Sequence, residues 1–190
     1  MAKISDQIDI IKHSDHVETL LSAYKPMIGD DYEGYRGHIY RVLTYTMHFL
    51  GGDLTHRKMI ETALVYHDLG LWTDQELAYL EPSIVLAKKD NQNHGWGLDE
   101  ALLHNLIFWH HKITAYKGPY AELVNALRKA DWIDASQGRL RKGMPKICIK
   151  QTEKVIPNAG FHKALERLGP ELTNNRKLKM LSKFLRVFKI

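Results

Sequence analysis

The sequence predicts an all-helical protein. Apolar residues recur at three- and four-residue steps along most of the chain, and the alternation of apolar and polar residues that marks a strand never persists. Punctuation such as Gly51-Gly52 and Gly118-Pro119 falls between the periodic stretches. These observations place helices near 3–24, 37–50, 56–68, 75–90, 98–111, 120–136 and 175–188. Pro145, Pro157 and Pro170 interrupt the stretch 139–172, which reads as irregular structure with one helix around 161–167.

Several of these helices end an apolar stripe in residues that ionise or bind metal. The second opens at His38 and is strongly apolar beyond it, with Ile39, Val42, Leu43 and Phe49. In the third, Ile60, Ala63, Leu64, His67 and Leu71 share the face turned to the core, and Asp68 follows directly. The fifth carries Leu103, Leu106, Ile107 and His110 as one stripe, with His111 beside it. The sixth repeats the pattern with Leu123, Val124, Leu127, Ala130, Asp131 and Asp134. A single histidine on an apolar face is more often a satisfied core residue than a ligand. Buried imidazoles and carboxylates on several separate helices would cost several kcal/mol of desolvation without a cation, so together they point to a metal site.

Composition sets the bounds. A chain of 190 residues, 44% hydrophobic and 26% charged, fits one globular domain over 1–190. Cys148 is the only cysteine, so no intramolecular disulfide can form, and any metal falls to His, Asp or Glu. The charged start MAKISDQIDIIKHSDH does not read as a secretory signal, and no later stretch approaches ~20 apolar residues, so the cytoplasm is the expected location. The net charge of +5 is mild, with much of the excess in Arg139, Arg141, Lys142 and the run beyond 175; it reads first as a solvated basic face, not as a nucleic-acid or membrane surface.

The pieces GHIYR (37–41), VYHDLG (65–70), WHHK (109–112) and RKADWID (128–134), in this order, resemble the HD superfamily of metal-dependent phosphohydrolases, named for the adjacent His and Asp. The resemblance covers about 30–136, leaving 137–190 as a C-terminal extension in which IPNAGFHKAL (156–165) is similar to a subgroup of small HD-domain proteins. It implies an HD-domain helical bundle in which His38, His67, Asp68 and Asp131 hold a divalent ion. Manganese, iron, cobalt, nickel, zinc and magnesium all suit such ligands. Two-metal members, such as the HD-GYP phosphodiesterases, add histidines that His110 and His111 match. YLEPS (79–83) puts Glu81 where that group has a further histidine, either as a carboxylate ligand or as a helix cap before Pro82. The Gly-Tyr-Pro signature is missing, so cleavage of cyclic dinucleotides is not implied.

The expected activity is hydrolysis of a phosphate ester in a small phosphorylated substrate, a nucleotide being the first choice, by metal-activated water. Asp68 is expected to be both ligand and proton acceptor. Arg41, one turn after His38, and Lys112, after the histidine pair, are either contacts for the phosphate or ordinary surface charges. Asp134 is placed to orient a ligand histidine or to face the substrate's sugar. His94 could approach the pocket from its glycine-rich turn; the other histidines match no motif.

Two alternatives stand beside this reading. HD-type di-iron oxygenases use a similar His and Asp set with six ligands, for which Glu81 would have to replace a histidine. A non-catalytic module would bind metal structurally and act through its basic C-terminal helix, where Leu178, Leu181, Leu185 and Phe188 form an apolar face that either docks on the domain or meets a membrane surface or partner.

Overall fold

A computed structural model describes residues 5–73 and 79–172. Among these residues the chain is all-helical, with no strand: α1 (Asp15–Ser22), α2 (Lys25–Ile28), α3 (Tyr32–Phe49), α4 (Arg57–Tyr66), α5 (Gly70–Thr73), α6 (Leu80–Asn93), α7 (Glu100–Trp109), α8 (Ala121–Ala135), α9 (Lys146–Val155) and α10 (Phe161–Leu172). None of these helices is long and apolar enough to cross a membrane. The expected C-terminal helix at 175–188 lies outside the described residues.

The axis of the bundle is α3. It is buried on nearly every side, from Tyr32 to Met47, because α8, α4, α9 and α10 all pack against it. A helix enclosed in this way can carry polar side chains inward only where neighbouring helices supply partners. It ends at Leu50, and Gly51 and Gly52 then take φ of 64° and 80°, a left-handed stop that glycine adopts freely. One cluster of buried apolar side chains extends from Ile8 to Leu168, so the C-terminal extension shares the core of the motif region.

Two expectations about elements need correction. Residues 5–14 are not helical but run along α3, where the Ile11 amide donates to Thr44 Oγ1 (3.1 Å) and the Ser14 amide to the Tyr40 hydroxyl (3.0 Å). The helix starts only at Asp15, because the Ser14 side chain accepts from the Val17 amide. The segment 139–172, expected to be mostly irregular, holds two helices, α9 and α10. Its prolines punctuate α9 instead of breaking it: Pro145 is the N-cap, and Pro157 follows the C-cap Ile156. Cys148, Ile149 and Thr152 form the buried stripe of α9.

Candidate metal centre

Two helix ends and two helix interiors meet at one point. His67 is the C-cap of α4 and His110 the C-cap of α7, with Asp68 and His111 directly after them. The last carbonyls of a helix have no intrahelical partner. Each of the two capping histidines turns back and donates from Nδ1 to such a carbonyl, His67 to Leu64 (2.7 Å) and His110 to Ile107 (2.5 Å). A carbonyl oxygen can only accept, so in both rings the hydrogen sits on Nδ1 and the Nε2 lone pair points away from the helix.

His38, from the interior of α3, is fixed at Nδ1 by another route. Its Nδ1 lies 2.7 Å from Asp134 Oδ2, a carboxylate that also receives Nε (2.5 Å) and Nη2 (2.8 Å) of Arg41. Its Nε2 then lies only 2.9 Å from Nε2 of His67. Two facing lone pairs repel unless a proton or a metal ion lies between them.

The carboxylates complete the centre. Asp68 Oδ2 faces His67 (3.3 Å) and His38 (3.6 Å), while its Oδ1 faces His110 (3.2 Å) and His111 (3.6 Å). Asp131 spans the same two sides, with Oδ1 at 3.4 Å from His38 and 3.7 Å from His67, and Oδ2 at 3.0 Å from His111. Neither oxygen of Asp131, nor Oδ1 of Asp68, accepts a hydrogen bond although all three are buried. Buried carboxylate oxygens without hydrogen bonds are costly, and histidine lone pairs converging on them form a donor set for divalent ions. The ligand atoms of His38, His67 and Asp68, and those of Asp68, His110 and His111, each fall within 4.8 Å of one another. Asp68 belongs to both groups, each of which could hold a metal ion.

Charge polarises the cluster. Burial alone would push His38 and His111 down, but the carboxylates of Asp131 and Asp134 hold His38 at about 9, and Asp131 holds His111 at about 10. Burial and the charge on His111 push His110 down to about 4. Asp68 and Asp131 lie well below the usual carboxylate range, because the charge of His67 on the first and of His111 on the second outweighs burial.

Several candidates stand elsewhere. Glu81 is exposed in the first turn of α6 and joins neither ligand group, since the residue that turns inward there is Tyr79. The Tyr79 hydroxyl lies 3.4 Å from His110 Nε2; burial and the charge of Asp68 keep it protonated. Arg41 is buried against Asp134 and the Pro157 carbonyl (2.9 Å), a turn away from the ligands, because Asp134 on α8 faces it across the α3 interface. Lys112 is also buried, its ammonium 4.3 Å from the centroid of the Phe108 ring, so it is not a surface charge; burial lowers its pKa. His94 is exposed and stacks on Trp96.

The sequence reading missed Tyr35, Tyr79 and Phe161. Tyr35 donates to the Val65 carbonyl (2.9 Å) and accepts from the Asp68 amide (3.4 Å), so it fixes the backbone that presents His67 and Asp68. Its place on the inner face of α3, three residues before His38, is the signal that could have found it. Phe161 belongs to the distant extension, and nothing local indicates that it lies over His38.

The chain matches no family model, no curated protein and no solved structure.

Proposed function

We propose that this chain is an HD-domain metal-dependent hydrolase that cleaves a phosphate ester in a small phosphorylated substrate such as a nucleotide. The observation that carries this reading is the pair of donor groups sharing Asp68, built from the residues of the HD motif plus His110 and His111. His38, His67, Asp68 and Asp131 would hold one divalent ion; His110 and His111, with the same carboxylates, would hold a second. The chemistry supplied by such ions is Lewis acidity, which polarises a phosphoryl oxygen and lowers the pKa of water from about 15.7 towards ~7.

The chain's own residues supply orientation and shelter. The Nδ1 bonds of His38, His67 and His110 keep three lone pairs aimed inward. Asp68 has both oxygens turned to histidines, so its proton-accepting role is to take a proton from water at its Oδ1, on the His110 and His111 side. Tyr79, protonated and beside His110, is a neutral donor at the edge of the centre. Of the six ligands, His111 has the most exposed side chain, at 15%, so substrate would approach from its side.

A second reading, an HD-type di-iron oxygenase, gains from one observation. The described ion-pair partners of Asp68 and Asp131 are all histidines, so the donors gathered there are imidazoles and carboxylates, the set that such oxygenases use. His38, His67, Asp68, His110, His111 and Asp131 make six such donors, but the histidine that Glu81 would have to replace is not among them.

Elemental analysis of purified protein beside Asp68→Ala, each assayed for phosphate release from bis(p-nitrophenyl) phosphate and a nucleotide panel, separates the readings. Metal and hydrolysis lost together in the variant support the hydrolase. Iron with oxygen consumption and no hydrolysis favours the oxygenase. Equal metal content with no activity in either protein overturns the site.

A further inference from the structure

His38 differs from the other two inward-facing histidines in what fixes it. His67 and His110 lean on carbonyls of their own helices, which no side chain can alter. His38 leans on Asp134, and Asp134 is held by Arg41 through two parallel bonds, the fork geometry that fixes a carboxylate's plane as well as its position. Arg41 in turn donates from Nη1 to the Pro157 carbonyl (2.9 Å), and His162 Nε2 donates to the Asp134 carbonyl (2.9 Å). The Phe161 ring covers the outer face of His38. The backbone there approaches α3 closely: a Cβ at Gly37 would lie 3.1 Å from Arg41 Nη1 and 3.2 Å from the Pro157 carbonyl oxygen, tighter than ordinary van der Waals contact.

We propose that Arg41 and Asp134 are positioning residues that set the tautomer of His38, and that the segment 157–162 anchors them, so that the C-terminal extension takes part in building the metal centre. This rests on the metal-centre reading above. Asp134 accepts, so His38 must donate from Nδ1 and keep Nε2 open as a ligand. An asparagine at 134 can present its NH2 to Nδ1 instead, which moves the hydrogen to Nε2 and closes that ligand position.

The test uses the full chain, cobalt(II) and zinc(II). Histidine-selective 15N spectra of the zinc-loaded unsubstituted protein should show His38 with hydrogen on Nδ1 and zinc on Nε2; the opposite arrangement overturns the inference without any variant. Asp134→Asn should bind cobalt about 10- to 100-fold more weakly, the usual cost of removing such a partner, with an altered visible spectrum. Arg41→Lys, which keeps the charge but loses the fork, should fall between. His38→Ala should lose the effect of Asp134→Asn, because the residue through which Asp134 acts is gone. A folded Asp134→Asn protein with the parent's cobalt affinity and spectrum sinks this inference alone. Cobalt and zinc binding by neither the parent nor any variant sinks the metal centre with it.

Discussion

The phenyl ring of Phe161 lies nearly parallel to the His38 imidazole, with centroids 4.1 Å apart and planes 14° from coplanar. A residue of α10 thus forms one wall of a candidate centre whose donor residues come from four other helices or their ends. Truncation to Phe161→Ala should cost about 3–5 kcal/mol, the range for losing a buried aromatic ring. Phe161→Leu should cost clearly less. Denaturant unfolding of both variants checks this, and equal stability of Phe161→Ala and the parent would contradict the packing.

Gly34 gives an independent handle on the same interface. A Cβ there would come within 2.9 Å of the Phe161 amide nitrogen and 3.1 Å of the Ala159 carbonyl oxygen, both backbone atoms that cannot move aside cheaply. Gly34→Ala should therefore destabilise the fold by about 1–3 kcal/mol, the typical cost of overpacking. A thermal melt that leaves the midpoint unchanged would show that the extension does not sit on α3.

Metal stoichiometry should follow the two donor groups. The unsubstituted chain is expected to hold two divalent ions, His111→Ala one, and Asp68→Ala neither with useful affinity, since Asp68 serves both groups. Equilibrium dialysis followed by elemental analysis reads this directly. A single ion in the parent, unaffected by His111→Ala, would remove the second site.

Stability of the metal-free protein should peak near pH 6.5. His38 and His111 are raised from 6.5 to about 9 and about 10, so their stabilisation is complete below 6.5 and fades as the pH climbs through those values. His110, lowered from 6.5 to about 4, acts the other way: its contribution is present above 6.5 and is lost as the pH falls towards 4. Asp68 and Asp131, lowered from 3.8, add to the acid loss below that point. Bound metal requires neutral histidines, so the gap in melting temperature between zinc-loaded and chelator-treated protein should widen from pH 6.5 to 9. A metal-free melting temperature that rises over that interval would contradict these charges.

The helices that carry the motif were legible because each has a regular apolar stripe, and His67, His110 and Asp131 stood out as polar residues ending such stripes. The alternative placements of Glu81, Arg41 and Lys112 could not be resolved from spacing alone. Which way a charged side chain turns depends on what faces it across a helix pair: Asp134 faces Arg41, the Phe108 ring lies beside Lys112, and Tyr79, not Glu81, faces inward before α6. The extension was misread for a related reason. Prolines look alike in sequence whether they break a helix or flank it, and Pro145 and Pro157 flank α9.

The burial of the ligands bears on time as well as affinity. An ion seated among side chains that are buried except at His111, with donors aligned by the fold, would exchange only slowly with solvent. Its departure would need the walls to part, so its residence time would follow the frequency of local opening. The rate at which a chelator strips such a centre would therefore serve as a clock for the breathing of α3 against its neighbours.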